Sequence, residues 1–128
     1  MRLSPERFEQ IAFAIADEIL AELAPELRAD AEQVILQIQD HPSPEQRAAL
    51  DLGPGGVLYG LYQGVPLVER HADTVLLFPD RITLFQGALQ AGARTEAELR
   101  RRVRRTLIHE LAHFFGRTDE ELLARGKY

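Results

Sequence analysis

Apolar residues recur every three or four positions near the start of the chain, which is the spacing of a helix that buries one face. Ser4 is a suitable N-cap for this helix, and Pro5 is well tolerated at a first helical position. The pattern therefore predicts a helix over residues 5–23. Pro25 ends it, and we expect a short further turn of helix through Leu27.

A second helical pattern occupies the C-terminal part of the chain. The capping box at residues 95–98 begins it, and Gly116 stands just after Phe115, where the residue that ends a helix is commonly glycine. A second capping box at residues 118–121 predicts a short terminal helix. The apolar stripe of the long helix consists of Leu99, Val103, Leu107, Leu111 and Phe114.

Between the two helical regions the apolar spacing changes to the alternation that is typical of β-strands. Residues 34–38 alternate in this way, and residues 57–62 are apolar and aromatic, as in a strand or a tight connection. Residues 74–78 and 81–85 flank a Pro-Asp pair, which is a turn signal, so we predict either a hairpin between them or a loop in place of the first run. Residues 43–50 are predicted to form a short helix. Together these elements indicate an α+β fold.

The composition narrows the chemistry that the protein can carry. The chain has 128 residues, 45% of them apolar and 27% charged, which suits one folded domain over residues 1–128. It contains no cysteine, and this excludes disulfides, iron–sulfur clusters, thiol nucleophiles and cysteine-ligated zinc. Histidine, aspartate and glutamate are therefore the expected metal ligands.

The formal net charge is -5. An acidic protein gains no general electrostatic attraction to nucleic acids or anionic membranes, so we expect neither as a partner. No signal peptide and no apolar run long enough to span a membrane are visible, which predicts a cytoplasmic protein. The sequence leaves the oligomeric state open.

The strongest chemical signal lies on the long second helix. His109 and His113 are four residues apart, so their imidazoles share one face about one turn apart and can bind one zinc ion. Glu110 lies on the adjoining face, where it can act as the general base toward a water at the metal. Both histidines flank the apolar stripe, so we expect the site at the edge of the core.

A catalytic zinc usually has three protein ligands, and the sequence offers one well-placed candidate for the third. Asp119 follows His113 after Gly116, a glycine that lets the chain turn back toward the helix. From His109 to Asp119 the chain reads H-E-x-x-H-x-x-G-x-x-D. Weaker candidates, which nothing in the sequence fixes near the helix, are Glu120, Glu121, His41 and His71.

These residues resemble the zincin superfamily, and within it the H-E-x-x-H-x-x-G-x-x-H/D pattern of the metzincins. More closely, the chain looks like the small bacterial minimal zincin, or metallopeptidase-like, family over residues 60–67, 79–84 and 109–122. The resemblance implies a small mixed β-sheet that packs with an N-terminal helix and with the metal-binding helix. By the same resemblance, Zn²⁺ is the cofactor, Glu110 is the base, and the zinc ligands are His109, His113 and Asp119.

The chain also departs from the family pattern. Its only methionine is Met1, so it lacks the methionine turn that lies below the metal in metzincins. Ala112 and Phe114 stand where the close family has Gly and His, and Phe114 falls on the apolar stripe. The segment after Asp119 is short, which leaves little chain for the usual wall of a substrate pocket.

Arginines and tyrosines near the motif are further candidates. Most of the basic cluster at residues 100–105 is interpreted as a solvated face that offsets acidic neighbours. Arg102 differs, because it faces the same side of the helix as the two histidines and can pair with a carboxylate or an anionic substrate group. Tyr62, with Tyr59 and Tyr128, is a candidate oxyanion stabiliser, although tyrosines more commonly pack in the core or line a loop.

Three functions are compatible with these residues. The first is a zinc-dependent hydrolase, most simply a peptidase that acts on a peptide or protein substrate. The second is a zincin-like module that binds metal or a partner without proteolysis, which the missing methionine turn favours. The third is a metal-dependent RNase, and the acidic net charge and the glutamate after the first histidine weigh against it.

Overall fold

A computed structural model describes residues 1–126, which form a small sheet with helices. The helices are α1 (Pro5–Glu22), α2 (Pro25–Ala31), α3 (Pro44–Ala49), α4 (Gln86–Gln90), α5 (Glu96–Phe115) and α6 (Asp119–Gly126). The strands are β1 (Ile35–Gln39), β2 (Gly60–Gln63) and β3 (Arg81–Phe85), and a single 3-10 turn covers Leu67–Glu69.

The sheet is mixed, as the family resemblance implies. Its strand order is β1-β3-β2, with β1 parallel and β2 antiparallel to the central strand β3. Leu36 lies opposite Ile82 in the parallel pair, and Leu61 lies opposite Thr83 in the antiparallel pair. The expected α+β fold with a small mixed sheet is therefore confirmed, and β2 is an edge strand.

The predicted hairpin between residues 74–78 and 81–85 is wrong. Only the second run is a strand, and both of its edges are already occupied by β1 and β2. The first run has no edge of β3 to pair with and lies in a loop, where Leu77 and Phe78 are about four-fifths exposed. Its apolar residues resembled a buried strand because composition alone does not show which strand edges are free.

The long helix α5 begins and ends as the sequence predicts. Thr95 Oγ1 accepts a hydrogen bond from the backbone N–H of Glu98 at 3.1 Å, which caps the first turn. Gly116 adopts a left-handed conformation with φ of 67° and ends the helix. Every residue of the predicted apolar stripe is buried, and the stripe packs against α1 and the sheet.

Helix α1 is confirmed to within one residue of its predicted end, whereas α2 is longer than expected and runs to Ala31. Arg28 explains the close join between them. Its guanidinium donates to the carbonyl oxygens of Leu20 at 2.8 Å and Leu23 at 2.9 Å, which are end groups that the helix itself leaves unsatisfied. Among the described residues, no helix has both the length and the apolar character needed to cross a membrane.

Candidate metal centre

Helix α5 presents the two histidines of the motif to solvent and turns the glutamate between them inward. The imidazoles of His109 and His113 are 57% and 64% exposed, and their ring centres are 5.2 Å apart. Glu110 is only 7% exposed. The site thus lies at the edge of the core, with the two imidazoles on the accessible side.

The turn after α5 brings the predicted third ligand back to the helix. Gly116 reverses the chain, and a capping box in which Thr118 and Glu121 exchange hydrogen bonds of 3.0 and 3.1 Å fixes the start of α6. Asp119, the first residue of α6, consequently lies beside His109. Its carboxylate oxygens are 3.1 and 3.3 Å from Nδ1 of that imidazole.

The carboxylate of Glu110 is oriented by the edge strand of the sheet. The backbone N–H of Tyr62 in β2 donates to Oε1 of Glu110 at 2.8 Å. Nδ1 of His113 lies 3.6 Å from the same oxygen. Glu110 therefore bridges the helix and the sheet edge through this oxygen.

The residues fit zinc by donor type and by pairwise spacing. Two imidazoles and a carboxylate are a common ligand set for catalytic zinc, and two imidazoles on one tetrahedral zinc have ring centres about 5 Å apart. Within residues 1–126, however, no group of three or more His, Asp or Glu side chains converges on one point. Closing the site requires rotation of the exposed imidazoles, which side chains of this kind undergo readily.

The hydroxyl of Tyr62 is engaged by the fold. It donates to Oδ1 of Asp80 at 2.6 Å, and the guanidinium of Arg70 pairs with the other oxygen of Asp80 at 2.5 Å. Burial and then the hydrogen bond to Asp80 raise the pKa of the Tyr62 phenol. The backbone N–H of Tyr62 contacts Glu110, and the residue also lines a cavity beside His113.

Sequence reasoning missed Arg70, which completes this network. The guanidinium lies 5.7 Å from the ring centre of Phe114, and that ring packs edge-on against Tyr62 at 5.9 Å. Phe114, where the close family has histidine, thus supports the strand that positions Glu110. No local pattern marks the ion pair of Arg70, because its partner Asp80 is ten residues away along the chain.

Arg102 is tied to α4 instead of to the metal motif. Its guanidinium donates to the carbonyl oxygens of Leu89 at 3.2 Å and Ala91 at 2.5 Å, and it lies 3.9 Å from Glu98. Arg102 precedes His109 by two turns of α5, about 10 Å along the axis. The contacts of Arg102 in the described part of the chain are thus with the end of α4 and with Glu98.

The remaining candidates are scattered. His41 lies 3.4 Å from the neighbouring Asp40, and the backbone N–H of His71 donates to Thr74 in a loop. Tyr59 lies half-exposed just before β2. Tyr128 is outside the described residues.

A cavity of about 540 Å³ adjoins His113. Pro66 and the 3-10 residue Val68 form one wall, and Gly116 and Thr118 in the turn after α5 form another. The first wall belongs to a segment that precedes β3 in the chain and folds back over the end of α5.

One comparison with known proteins bears on this geometry. A family model described as Zincin-like metallopeptidase matches residues 31–127. The match includes all three strands and the whole of α5, together with each candidate ligand of the metal centre. No protein of curated function matches the chain significantly.

Proposed function

Because this chain belongs to the zincin-like metallopeptidase family, we propose that it is a zinc-dependent peptidase. In this proposal His109, His113 and Asp119 hold the metal, and Glu110 is the general base. The observation that carries the proposal is the position of Glu110, whose buried carboxylate lies between the sheet edge and the imidazole of His113. A carboxylate used only for solubility would lie on the exposed face of the helix.

The chemistry divides between the metal and the residues of the chain. Zinc, when bound, supplies Lewis-acid polarisation of a peptide carbonyl and acidification of water. Oε2 of Glu110 takes one proton from the attacking water and returns it to the leaving nitrogen. The hydrogen bond from Tyr62 N–H to Oε1 keeps the carboxylate in place during both transfers.

The edge strand β2 offers a place for an extended substrate. Phe85 N–H donates to the carbonyl of Tyr59, so by the alternation of antiparallel strands Gly60 and Tyr62 direct their backbone groups away from β3. The N–H of Tyr62 is engaged by Glu110, which leaves the backbone groups of Gly60 and the carbonyl of Tyr62 for a substrate. Extended peptides commonly add to such edges. The cavity beside His113 is then suited to receive a side chain close to the bond that is cleaved.

Hydrolysis of a mixed peptide library tests this function. We expect cleavage by the zinc-loaded protein, loss of cleavage on chelation, and a fall of about 10²- to 10⁴-fold in rate for Glu110→Gln. Glu18→Gln, which changes an exposed glutamate on α1, is the matched control and is expected to keep full activity. Absence of cleavage by the zinc-loaded wild type contradicts the proposal.

A second function is favoured by the departure of the chain from the metzincin pattern, since its only methionine is Met1. In this alternative the protein is a zincin-like module that binds metal or a partner without proteolysis. Stoichiometric zinc binding together with no cleavage of the library supports it over the peptidase.

A further inference from the structure

The arginines of α5 divide into two groups by their contacts. Three are engaged by other groups of the fold: Arg100 with Glu96 at 3.1 Å, Arg104 with Glu22 at 2.5 Å, and Arg102 with carbonyl oxygens at the end of α4. Arg101 and Arg105 are exposed and have no hydrogen bond or ion pair with any residue in the described part of the chain. The second pair is therefore available to a ligand.

These two arginines continue the line of the metal motif along the helix. Arg101, Arg105, His109 and His113 follow one another at intervals of four residues, and all four are exposed. Like charges at this spacing destabilise a helix, so the pair does not serve the stability of α5. Two free guanidinium groups in line with the metal ligands are also unexpected in a chain of net charge -5, because acidic side chains outnumber basic ones.

A concave surface lies in front of the pair. It encloses about 470 Å³ and is lined by Tyr59, Arg101, Arg105 and Thr106, with Glu98 and Arg102 at its side. Tyr59 immediately precedes β2, so this cavity lies at the beginning of the edge strand. The cavity beside His113 lies toward the other end of α5, and the metal motif is between them.

We propose that Arg101 and Arg105 form a carboxylate-binding subsite that selects peptides with a negative charge on the C-terminal side of the cleaved bond. This inference rests on the proposed peptidase function. Arginine suits the ligand, because its planar guanidinium pairs with a carboxylate through two parallel hydrogen bonds. The carboxylate belongs either to an acidic side chain or to the free C-terminus of the peptide.

The spacing along the helix sets the position of the charge. Arg105 and Arg101 precede His109 by about 6 and 12 Å, since a helix rises about 1.5 Å per residue. An extended peptide covers about 3.3 Å per residue, so the charge falls about two to four residues from the bond. Antiparallel pairing with β2 is the slightly more stable arrangement, and it places the C-terminal part of the peptide at the arginines.

A peptide carboxylate accounts for the pair better than a nucleic acid does. Nucleic-acid binding draws on many phosphate contacts, whereas this surface offers two free guanidinium groups beside the acidic Glu98. The charge of the whole chain also opposes a polyanion. Two arginines are sufficient for one carboxylate.

Binding of matched peptides to the zinc-loaded Glu110→Gln protein tests the subsite without any cleavage. The probes are fluorescein-labelled octapeptides of alanine and leucine that carry Glu or Gln near the C-terminus, each with a free or an amidated end. We expect the peptides with a carboxylate to bind about tenfold more tightly than the neutral, amidated peptide at low salt. Comparison of Glu-amide with Gln-acid distinguishes the side-chain carboxylate from the terminal one.

Two double variants test whether the preference for charged peptides depends on Arg101 and Arg105. Arg101→Gln with Arg105→Gln is expected to abolish it, while Arg100→Gln with Arg104→Gln, which alters the paired arginines of the same helix, is expected to retain it. Equal binding of charged and neutral peptides, absence of binding to all of them, or a preference that survives in the first double variant overturns the subsite. Tighter binding of a single-stranded oligoribonucleotide that depends on Arg101 and Arg105 also overturns it.

The outcome is separable from that of the peptidase proposal. A charge preference in binding without cleavage of the library by the wild type removes the peptidase function and leaves the subsite. Cleavage of the library without any preference for charged peptides removes the subsite and leaves the peptidase function.

Discussion

A backbone group of the sheet positions Glu110, since the N–H of Tyr62 donates to its Oε1 at 2.8 Å. That donor remains when the side chain of Tyr62 is changed. The phenol has a separate task, because its hydroxyl binds the buried carboxylate of Asp80. The backbone N–H of Tyr62 therefore positions Glu110, whereas its hydroxyl stabilises the fold.

Tyr62→Phe tests this division. Loss of the hydroxyl leaves one oxygen of Asp80 without its donor, and we expect the free energy of unfolding to fall by about 1–3 kcal/mol. Peptide cleavage at 25 °C is expected to remain within a few-fold of wild type, because the backbone N–H still holds Glu110. Denaturant unfolding and initial rates measure the two effects, and a collapse of activity in a folded Tyr62→Phe protein contradicts the division.

The same phenol predicts a pH dependence of stability. Its pKa is raised in the folded protein, chiefly by burial, so the unfolded chain loses this proton at lower pH than the native one. Stability from this source is complete below about pH 10, the ordinary pKa of tyrosine, and declines as the pH rises above it. Unfolding measured between pH 8 and pH 11 is expected to show a steeper decline for wild type than for Tyr62→Phe. Parallel curves for the two proteins contradict the assignment.

At the scale of elements, the centre depends on how closely α5 approaches the edge strand. Gly60 permits this approach, since a Cβ at that position meets Cγ2 of Thr106 at 2.5 Å and Cγ of Glu110 at 3.5 Å. The helix and the strand are thus in direct contact at Gly60, two residues before Tyr62. The hydrogen bond from β2 to Glu110 is a result of this close packing.

Gly60→Ala is therefore expected to separate α5 from β2. We predict a loss of about 1–3 kcal/mol in the free energy of unfolding, as in other overpacked sites, together with a lower rate of peptide cleavage. Thr106→Ser removes the clashing methyl group and keeps the hydroxyl that donates to the carbonyl of Arg102. The double variant is expected to recover most of both losses, and a double variant no better than Gly60→Ala contradicts this account of the packing.

The elements that the sequence predicts well are those with local signals. The caps of α1 and α5, the stripe of α5 and the turn at Gly116 each involve residues within a few positions of one another. Pairing of β3 with β1 and β2 joins distant segments, and a local pattern did not distinguish the true strand partner from the apolar run at 74–78. For the same reason the sequence did not indicate the contact of Arg70 with Asp80 or the contact of Arg102 with the end of α4.

The candidate site was predictable to a similar extent. The spacing of His109, Glu110 and His113 on one helix is local, and the structure brings Asp119 beside His109 through the turn at Gly116. The backbone donor to Glu110 and the cavity wall beside His113 come from other parts of the chain. Neither was visible from the motif.

At the scale of the whole molecule, the core does not depend on a metal. The buried side chains of α1, the sheet and α5 form one cluster, in which Phe8, Leu84 and Leu99 are fully inaccessible. Each such side chain contributes about 1.5–3 kcal/mol by burial. Zinc is accordingly expected to add stability to an already folded chain.

Chelation is predicted to leave the far-UV circular dichroism unchanged and to lower Tm. At a free zinc concentration about a hundredfold above Kd, binding adds about 2.7 kcal/mol, or roughly 10 °C in Tm for a domain of this size. Thermal scans with zinc and with a chelator measure the shift. Unfolding on chelation at 25 °C contradicts the picture of a metal-independent core.

Titration of zinc into the metal-free protein, followed by calorimetry, tests the central claim most directly. We expect one zinc per chain for the wild type and for Glu110→Gln. We expect the affinity for zinc to be at least tenfold weaker in each of His109→Ala, His113→Ala and Asp119→Ala. His71→Ala, which changes an exposed histidine away from α5, serves as the matched control and is expected to bind as the wild type does. Absence of zinc binding by the wild type, or affinity unchanged in His109→Ala and His113→Ala, contradicts a metal centre on this helix.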